Sequence, residues 1–450
     1  MNLKALLESD RVRSCLDWLP IVLLVAIFPI DSTWYVLSAV SGVPKLPIGF
    51  ICFVLSLLLL LPREIAANRH FAHSVLGILA VMAIGVLAAA LSPNFDYQWV
   101  DLFSWYLASF ALGTATARST ALSHPVARRL IIGTTSICAL ICAAVLWNGW
   151  SNEFNYLRPA SALTITGIFS LVLARLWFLR AAVFVGVLLA LVALTSRTSL
   201  YLWLLVPVLG ILIYDGERVR LGSWWKTLAF KAVVAVALTA VNLVVLLPTL
   251  AYFGDPRIAP TIEAEMSSDF GGLSIAPTVE MDLPSDFGDP RIAPPTEAEL
   301  PFEGGVQFRT TDTSINARGY LLEKGWSQIV ESPLFGGYKH YLSYGGEGGY
   351  IHSILSYWQQ FGLVPFVALL VFLSWIMALS FAIPSYPAGA ISKLLILTTL
   401  IAAVAARSHT STEIYLAAGF VIGASRAIRP FRRWRALDDT PSPHGPKLAS

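Results

Sequence analysis

Apolar runs of roughly 18–25 residues recur along this chain, separated by short polar stretches. At 1.5 Å per helical residue, such runs can cross a hydrocarbon core of ~30 Å. Twelve stand out, near residues 16–34, 46–62, 72–92, 98–116, 130–149, 160–178, 181–196, 199–214, 228–251, 352–381, 392–407 and 412–425. The pattern predicts an all-α, polytopic membrane protein with about 12 transmembrane helices. Its organisation reads as helices 1–9 in residues 1–251, one long loop over 252–351, helices 10–12 in 352–425, and a basic tail over 426–450.

Composition agrees. The 450 residues are 56% hydrophobic and 13% charged, with mean hydropathy +0.67. A soluble domain carries nearer a quarter charged residues, so that class is excluded. No nucleic-acid partner is expected. The net charge of +3 says little, but its distribution says more. With both termini on one side, the inner segments hold 21 of the 31 Lys and Arg residues. The short outer turns hold Lys45, Arg158, Arg197 and Arg407. The bias of cations toward the cytoplasm then predicts cytoplasmic termini and an extracytoplasmic long loop. The first apolar run, from about Leu16, is too long for the core of a cleaved signal peptide. Cys15, Cys52, Cys138 and Cys142 fall at or within the predicted spans, with no metal-type spacing and no disulfide framework. No metal and no cofactor are expected.

The long loop contains three copies of a 17-residue unit over residues 254–304: GDPRIAPTIEAEMSSDF, GGLSIAPTVEMDLPSDF and GDPRIAPPTEAELPFEG. They carry eleven acidic residues and two arginines. Pro-rich acidic units bury too little apolar surface to offset ordering entropy, so a flexible insert is expected. It reads as a tolerated loop expansion or as an acidic lid. After it, Ile315, Leu322, Trp326, Ile329 and Val330 form a helical stripe, with Thr313 or Ser314 to cap it and Pro333 past its end. An amphipathic helix over 313–331 is expected on the outer face of the bundle.

Ionisable groups at the lip of a membrane span are costly and mark candidate chemistry. His352 opens the tenth run. On a helix starting there, Ser356, Gln359 and Gln360 share its face. It reads either as an interfacial histidine satisfied by headgroups and water, or as a base. Arg197 sits at the mouth of a tight hairpin, either snorkelling to headgroups or clamping an anion with its planar fork of donors. Arg309, Arg318, Lys339, His340 and Arg407 add outer cations nearby. Tyr338, Tyr341, Tyr344 and Tyr350 lie among six glycines in "GGYKHYLSYGGEGGY". They suit stacking on sugar rings, or an interfacial aromatic belt. Asp31, alone at the end of the first span, reads as structural.

Three pieces match one family in order: "TSR" at Thr195–Arg197, "RGYLLEKGW…ESPLFGG" over Arg318–Gly337, and "HS…GLV" with His352, Ser353 and Gly362. The chain from about Val183 to Gly362 resembles the O-antigen ligase / O-antigen polymerase superfamily of bacterial membrane glycosyltransferases. It departs from the family at Ser353, where Asn is usual, and at Pro365, where a second glycine is typical. The 17-residue repeats have no counterpart there.

The resemblance implies a GT-C-like membrane enzyme of the bacterial inner membrane with a periplasmic active site. The donor would be an undecaprenyl-diphosphate-linked oligosaccharide, and the acceptor a glycan or a lipid A core. It implies Arg197 and Arg318, with Arg309 as a third candidate, for the diphosphate, and His352 as the base. Tyr338, Tyr344 and Tyr350 are the candidates for glycan contact. Polymerase and ligase differ only in acceptor, and an O-antigen or exopolysaccharide polymerase is the favoured reading. Neutralisation of the leaving diphosphate by guanidinium groups would make the inverting transfer metal-independent. The competing functions are a precursor transporter or flippase, as twelve spans with both ends inside also suit a carrier, and a non-catalytic scaffold.

Overall fold

The computed structural model of the protein describes residues 10–67, 69–90, 98–148, 157–194, 196–213, 321–341, 350–351, 353–384, 387–405 and 411–427. The chain divides into two compact units, one of Met1–Leu246 with Arg318–Ser450 and one of Leu247–Ala317. The second lies wholly outside the described residues. So do the expected ninth span at 228–251, the repeats, the first part of the 313–331 helix and the end of the basic tail.

Among the described residues the structure is mostly helical, with no strand. The helices are α1 (Asp10–Val25), α2 (Asp31–Ser41), α3 (Ile48–Leu55), α4 (Leu61–Ala67), α5 (Arg69–Ala90), α6 (Gln98–Arg118), α7 (Pro125–Asn148) and α8 (Leu157–Leu173). They continue with α9 (Trp177–Ala193), α10 (Arg197–Ile213), α11 (321–331), α12 (Leu355–Phe361), α13 (Leu363–Ala382), α14 (Pro387–Ala405) and α15 (Glu413–Ala427). Helix covers eleven of the twelve apolar runs. Five stretches are long and apolar enough to cross a membrane: Cys15–Ser41, Ile48–Ala67, Pro125–Leu146, Leu363–Ala382 and Pro387–Val404.

The boundaries have local causes. α1 and α2 are joined by a wide helical turn, Ala26–Ile30, which contains Pro29. Proline has no N–H for the regular helical bond, and the turn widens around it. A second wide turn, Ser56–Leu60, lies just before Pro62. Pro125 and Pro387 are the first residues of α7 and α14, where the missing N–H costs nothing.

The tenth run departs from expectation. It is not one helix from His352. α12 begins at Leu355 and stops at Gly362, and α13 starts afresh at Leu363. Gly362 has φ +84°, a conformation that side-chain-bearing residues rarely adopt. A Cβ there would also run into the Leu334 carbonyl.

α15 lies at the centre. Residues 414–418, 420–422 and 424 are all buried. α6 packs on it at very close range. A Cβ added at Gly113 would meet the Leu416 carbonyl, one at Gly419 the Phe110 carbonyl, and one at Gly423 the Thr114 carbonyl. Gly419 and Gly423 are four apart on α15, the small-residue spacing that lets membrane helices approach backbone to backbone. Thr114 Oγ1 lies 2.9 Å from the Gly419 carbonyl and 3.0 Å from its own Phe110 carbonyl, and donates between them. Gly167 of α8 likewise makes room for the fully buried Trp203 of α10, whose indole donates to the Phe184 carbonyl at 3.0 Å.

Peripheral helices face outward with apolar side chains. Leu58, Ile137 and Val371 are 66%, 59% and 65% exposed. No water-soluble surface favours such a band, and in a bilayer it meets lipid. The molecule is a helical membrane protein.

Polar pairs tie the bundle at two opposite ends. At one, hereafter the upper end, the buried Asp31 carboxylate pairs with Arg158 and accepts the Gly49 N–H at 2.7 Å. Arg158 also lies over the Tyr35 ring, 5.7 Å from its centroid. The expected structural role of Asp31 is what these contacts describe. At the lower end, Glu64 pairs with Arg118, and Arg63 with Asp17 at 3.0 Å. Ser119 and Thr120 also donate to Asp17. The four cysteines carry free thiols, and Cys142 Sγ lies 3.7 Å from Thr33 Oγ1.

Overpacking the central contact should cost about 1–3 kcal/mol. Gly419→Leu is therefore expected to lower the unfolding temperature in detergent by several degrees, and Gly133→Leu, where an added Cβ meets nothing within 4 Å, to leave it unchanged. Thermal size-exclusion chromatography checks both.

Candidate functional site at the upper end

Two of the sequence pieces that carry the resemblance hold each other. The turn after α11, residues 332–337, lies against the α12–α13 break. Leu363 N–H donates to the Pro333 carbonyl at 3.0 Å, and Gly337 N–H to the Gln359 carbonyl at 2.8 Å. The Trp358 indole donates to Pro333 at 2.8 Å. Added Cβ atoms at Gly336 or Gly362 would enter the opposing backbone. "PLFGG" and "QQFGL" thus form one clamp, and the glycines are there because two backbones meet.

The polar stripe Ser356, Gln359 and Gln360 does not descend into lipid below an imidazole. All three are fully buried. Gln359 Oε1 accepts the Ile351 N–H at 3.0 Å, and its Nε2 donates to Gln328 Oε1 at 2.6 Å. Gln360 Oε1 accepts the Lys339 N–H at 2.8 Å. Buried amides that accept backbone N–H groups in this way fix local geometry. They pin both ends of the glycine-rich loop, one of them at the residue just before His352. His352 itself, with Arg309, Arg318 and Tyr344, lies outside the described residues.

On α11, Gly325, Gln328 and Ile329 turn inward, and Gly325 lets Ile351 and Gln359 come close. Leu322, Trp326 and Val330 face outward. Tyr338 is buried beside Phe361, with ring centroids 6.2 Å apart, and carries Lys339 Nζ over its face at 5.9 Å. That burial packs the ring against Phe361. Tyr350 is half-buried and meets Tyr341 edge-on at 5.2 Å.

A second cluster escaped the sequence reading. Tyr106 of α6 stacks on Tyr415 of α15, with centroids 4.1 Å apart, and Tyr357 of α12 lies 6.4 Å from Tyr106. The α6–α15 contact sets this register: Tyr106 is seven residues before Gly113, and Tyr415 is four before Gly419. Glu413, beside Tyr357, heads α15, where its charge suits the helix N-terminus, and accepts from Ser411. Glu413 also borders a small cavity of about 30 Å³, the size of one water, lined by hydroxyls that include Ser161, Ser199 and Thr398. Ser199 is two residues into α10, the helix that Arg197 opens. Only a lone carboxylate in "STEIY" could have signalled this cluster.

Among the described residues, no three His, Cys, Asp or Glu side chains are grouped to hold a metal. Compared with models of known protein families and with curated proteins, the chain matches none.

Gln359→Leu strands the Ile351 N–H and one Gln328 partner, at about 1–3 kcal/mol. Hydrogen exchange of the Ile351 amide should accelerate at least tenfold, and limited proteolysis within 342–349 should quicken. The conservative Gln359→Glu, which keeps the acceptor, should recover most of the protection at Ile351.

Proposed function

We propose that the protein is a membrane glycosyltransferase of the O-antigen polymerase and ligase kind. It would move a glycan from a polyprenyl-diphosphate carrier to an acceptor hydroxyl on the extracytoplasmic face of a bacterial inner membrane, and twelve spans with cytoplasmic termini fit that layout. The observation that carries the reading is the clamp. The two separate segments of the resemblance are bonded to each other, and the chain is held one residue before His352.

In this reading His352 takes the proton of the acceptor hydroxyl as its oxygen attacks the anomeric carbon. The bond from that carbon to the diphosphate breaks with inversion, and the lipid diphosphate leaves with the electron pair. Imidazole is the side chain most often used as a general base near neutral pH. Arg197 and Arg318, with Arg309 as the third candidate, neutralise the departing charge. Tyr350 remains at the edge of the loop as a sugar contact, and Tyr344 is proposed with it. The polymerase is favoured over the ligase. A transporter or flippase is the second reading, but the ion pairs among the described residues lie toward the two ends of the bundle, whereas carriers bind their cargo near the midplane.

Purified protein in proteoliposomes, supplied with lipid-linked repeat units alone, should extend the glycan. His352→Ala should slow transfer by ~10²–10⁴-fold, and Arg197→Ala or Arg318→Ala by ~10²–10³-fold. Full transfer by His352→Ala would reject the catalytic reading. Growth without any lipid A core would exclude a dedicated ligase.

A further inference from the structure

The lower end carries positive charge that the described residues do not balance. α8 starts beside Arg158 at the upper end, and its 17 residues run down about 25 Å. A three-residue turn, 174–176, follows, and α9 climbs back. Arg175 in the turn and Arg180 in the first turns of α9 are both exposed. Arg180 folds back, and its Nε donates to the Ala174 carbonyl at 2.7 Å, so both arginines are held at this one turn. Between them Leu176, Trp177 and Phe178 are 54%, 79% and 55% exposed. α7 packs on α9 and starts at the same end. It adds the exposed Arg129 and the half-buried Arg128, whose Nε has no acceptor among the described residues. The carboxylates of this end are already engaged, Asp17 with Arg63 and Glu64 with Arg118. Among the described residues, no carboxylate pairs with Arg128, Arg129, Arg175 or Arg180.

We infer that these four arginines form a docking site for the phosphate of an anionic phospholipid in the leaflet at the lower end. The inference is independent of the transferase reading. Three observations select the occupant. The first is charge. Cations gathered on two packed helices repel one another, an anion from outside relieves that repulsion, and the planar guanidinium fork matches phosphate oxygens. The second is height. Above the arginines, Val126, Leu130, Ile137 and Leu140 of α7 and Val185 and Leu189 of α9 are exposed, part of the band that meets lipid. The arginines thus stand where acyl chains give way to headgroups, and Trp177 and Phe178 stand with them, as aromatic rings do at a membrane interface. The third is the mixture itself. A second copy of this patch would bring more arginines and no carboxylate, and a hydrophilic acidic partner would leave the apolar side chains unmatched. An amphiphile with an anionic head and hydrocarbon tails matches both. Sidedness alone asks only that cations lie in the loops of one side. Here they are collected between neighbouring helices, which is the form that basic sites for phospholipid headgroups take.

The test adds phosphatidylglycerol to the full-length protein in a neutral detergent and counts bound lipid by native mass spectrometry. Phosphatidylglycerol should be retained at least ~fivefold more strongly than phosphatidylcholine. The double variant Arg129→Gln/Arg175→Gln alters two exposed side chains, one from each side of the site, and should abolish that preference. Lys45→Gln, an exposed cation at the upper end, should leave it unchanged. An unfolding temperature equal to wild type identifies a folded variant. In the wild-type protein, phosphatidylglycerol with a photoreactive headgroup should label residues 126–130 and 175–180, which needs no variant to fold. Equal retention of the two lipids, a wild-type preference in the double variant, or labelling confined to other segments overturns the inference. So does an equal loss of preference in Lys45→Gln, which would mark a general response to charge, or a lipid-free dimer joined through α9.

Discussion

The upper end of this bundle depends on how closely two helices can approach. α6 and α15 touch backbone to backbone because Gly113, Gly419 and Gly423 carry no Cβ, and Thr114 bridges the contact by donating to the Gly419 carbonyl. In a bilayer, apolar side chains gain nothing by leaving lipid for protein, so close packing and interhelical hydrogen bonds have to hold helices together. This contact fixes the axial register of α15, and with it the heights of Tyr415 and Glu413. Slipping α15 by one residue along α6 would put Ala418 or Phe420 where Gly419 now meets the Phe110 carbonyl, and the tyrosine pair would separate.

From that register the site follows by short steps. Tyr106 and Tyr415 stack, Tyr357 joins them from α12, and Gly362 turns the chain from α12 into α13. The bend lets the 332–337 turn bond to Gln359 and Leu363. Gln359 and Gln360 then anchor the two ends of the glycine-rich loop.

The helices were legible in the sequence because a membrane span announces itself by length and hydropathy alone. The packing was not. Nothing in the apolar run 352–381 marks Gly362 as a break, since Gly is tolerated within membrane helices, and only the backbone of Leu334 shows why the helix stops. The stripe Ser356–Gln359–Gln360 was visible as polar, but its partners are backbone groups and Gln328, far along the chain. Asp31 looked solitary because Arg158 is 127 positions away. The contact of Tyr338 with Phe361 was not legible, because a tyrosine among glycines says nothing about a ring 23 positions away. The Gly419–Gly423 spacing was present in plain sight, hidden within a run scored only for hydropathy.

The central claim is that Arg197, Arg318 and His352 gather around one diphosphate at the upper end. It is tested most directly by electron–electron distances between spin labels at positions 197, 318 and 352, taken pairwise in a cysteine-free background in lipid nanodiscs. The account predicts that every pair gives a single short distance, under roughly two interhelical spacings of ~10 Å each. Long or broad distances for any pair would contradict it.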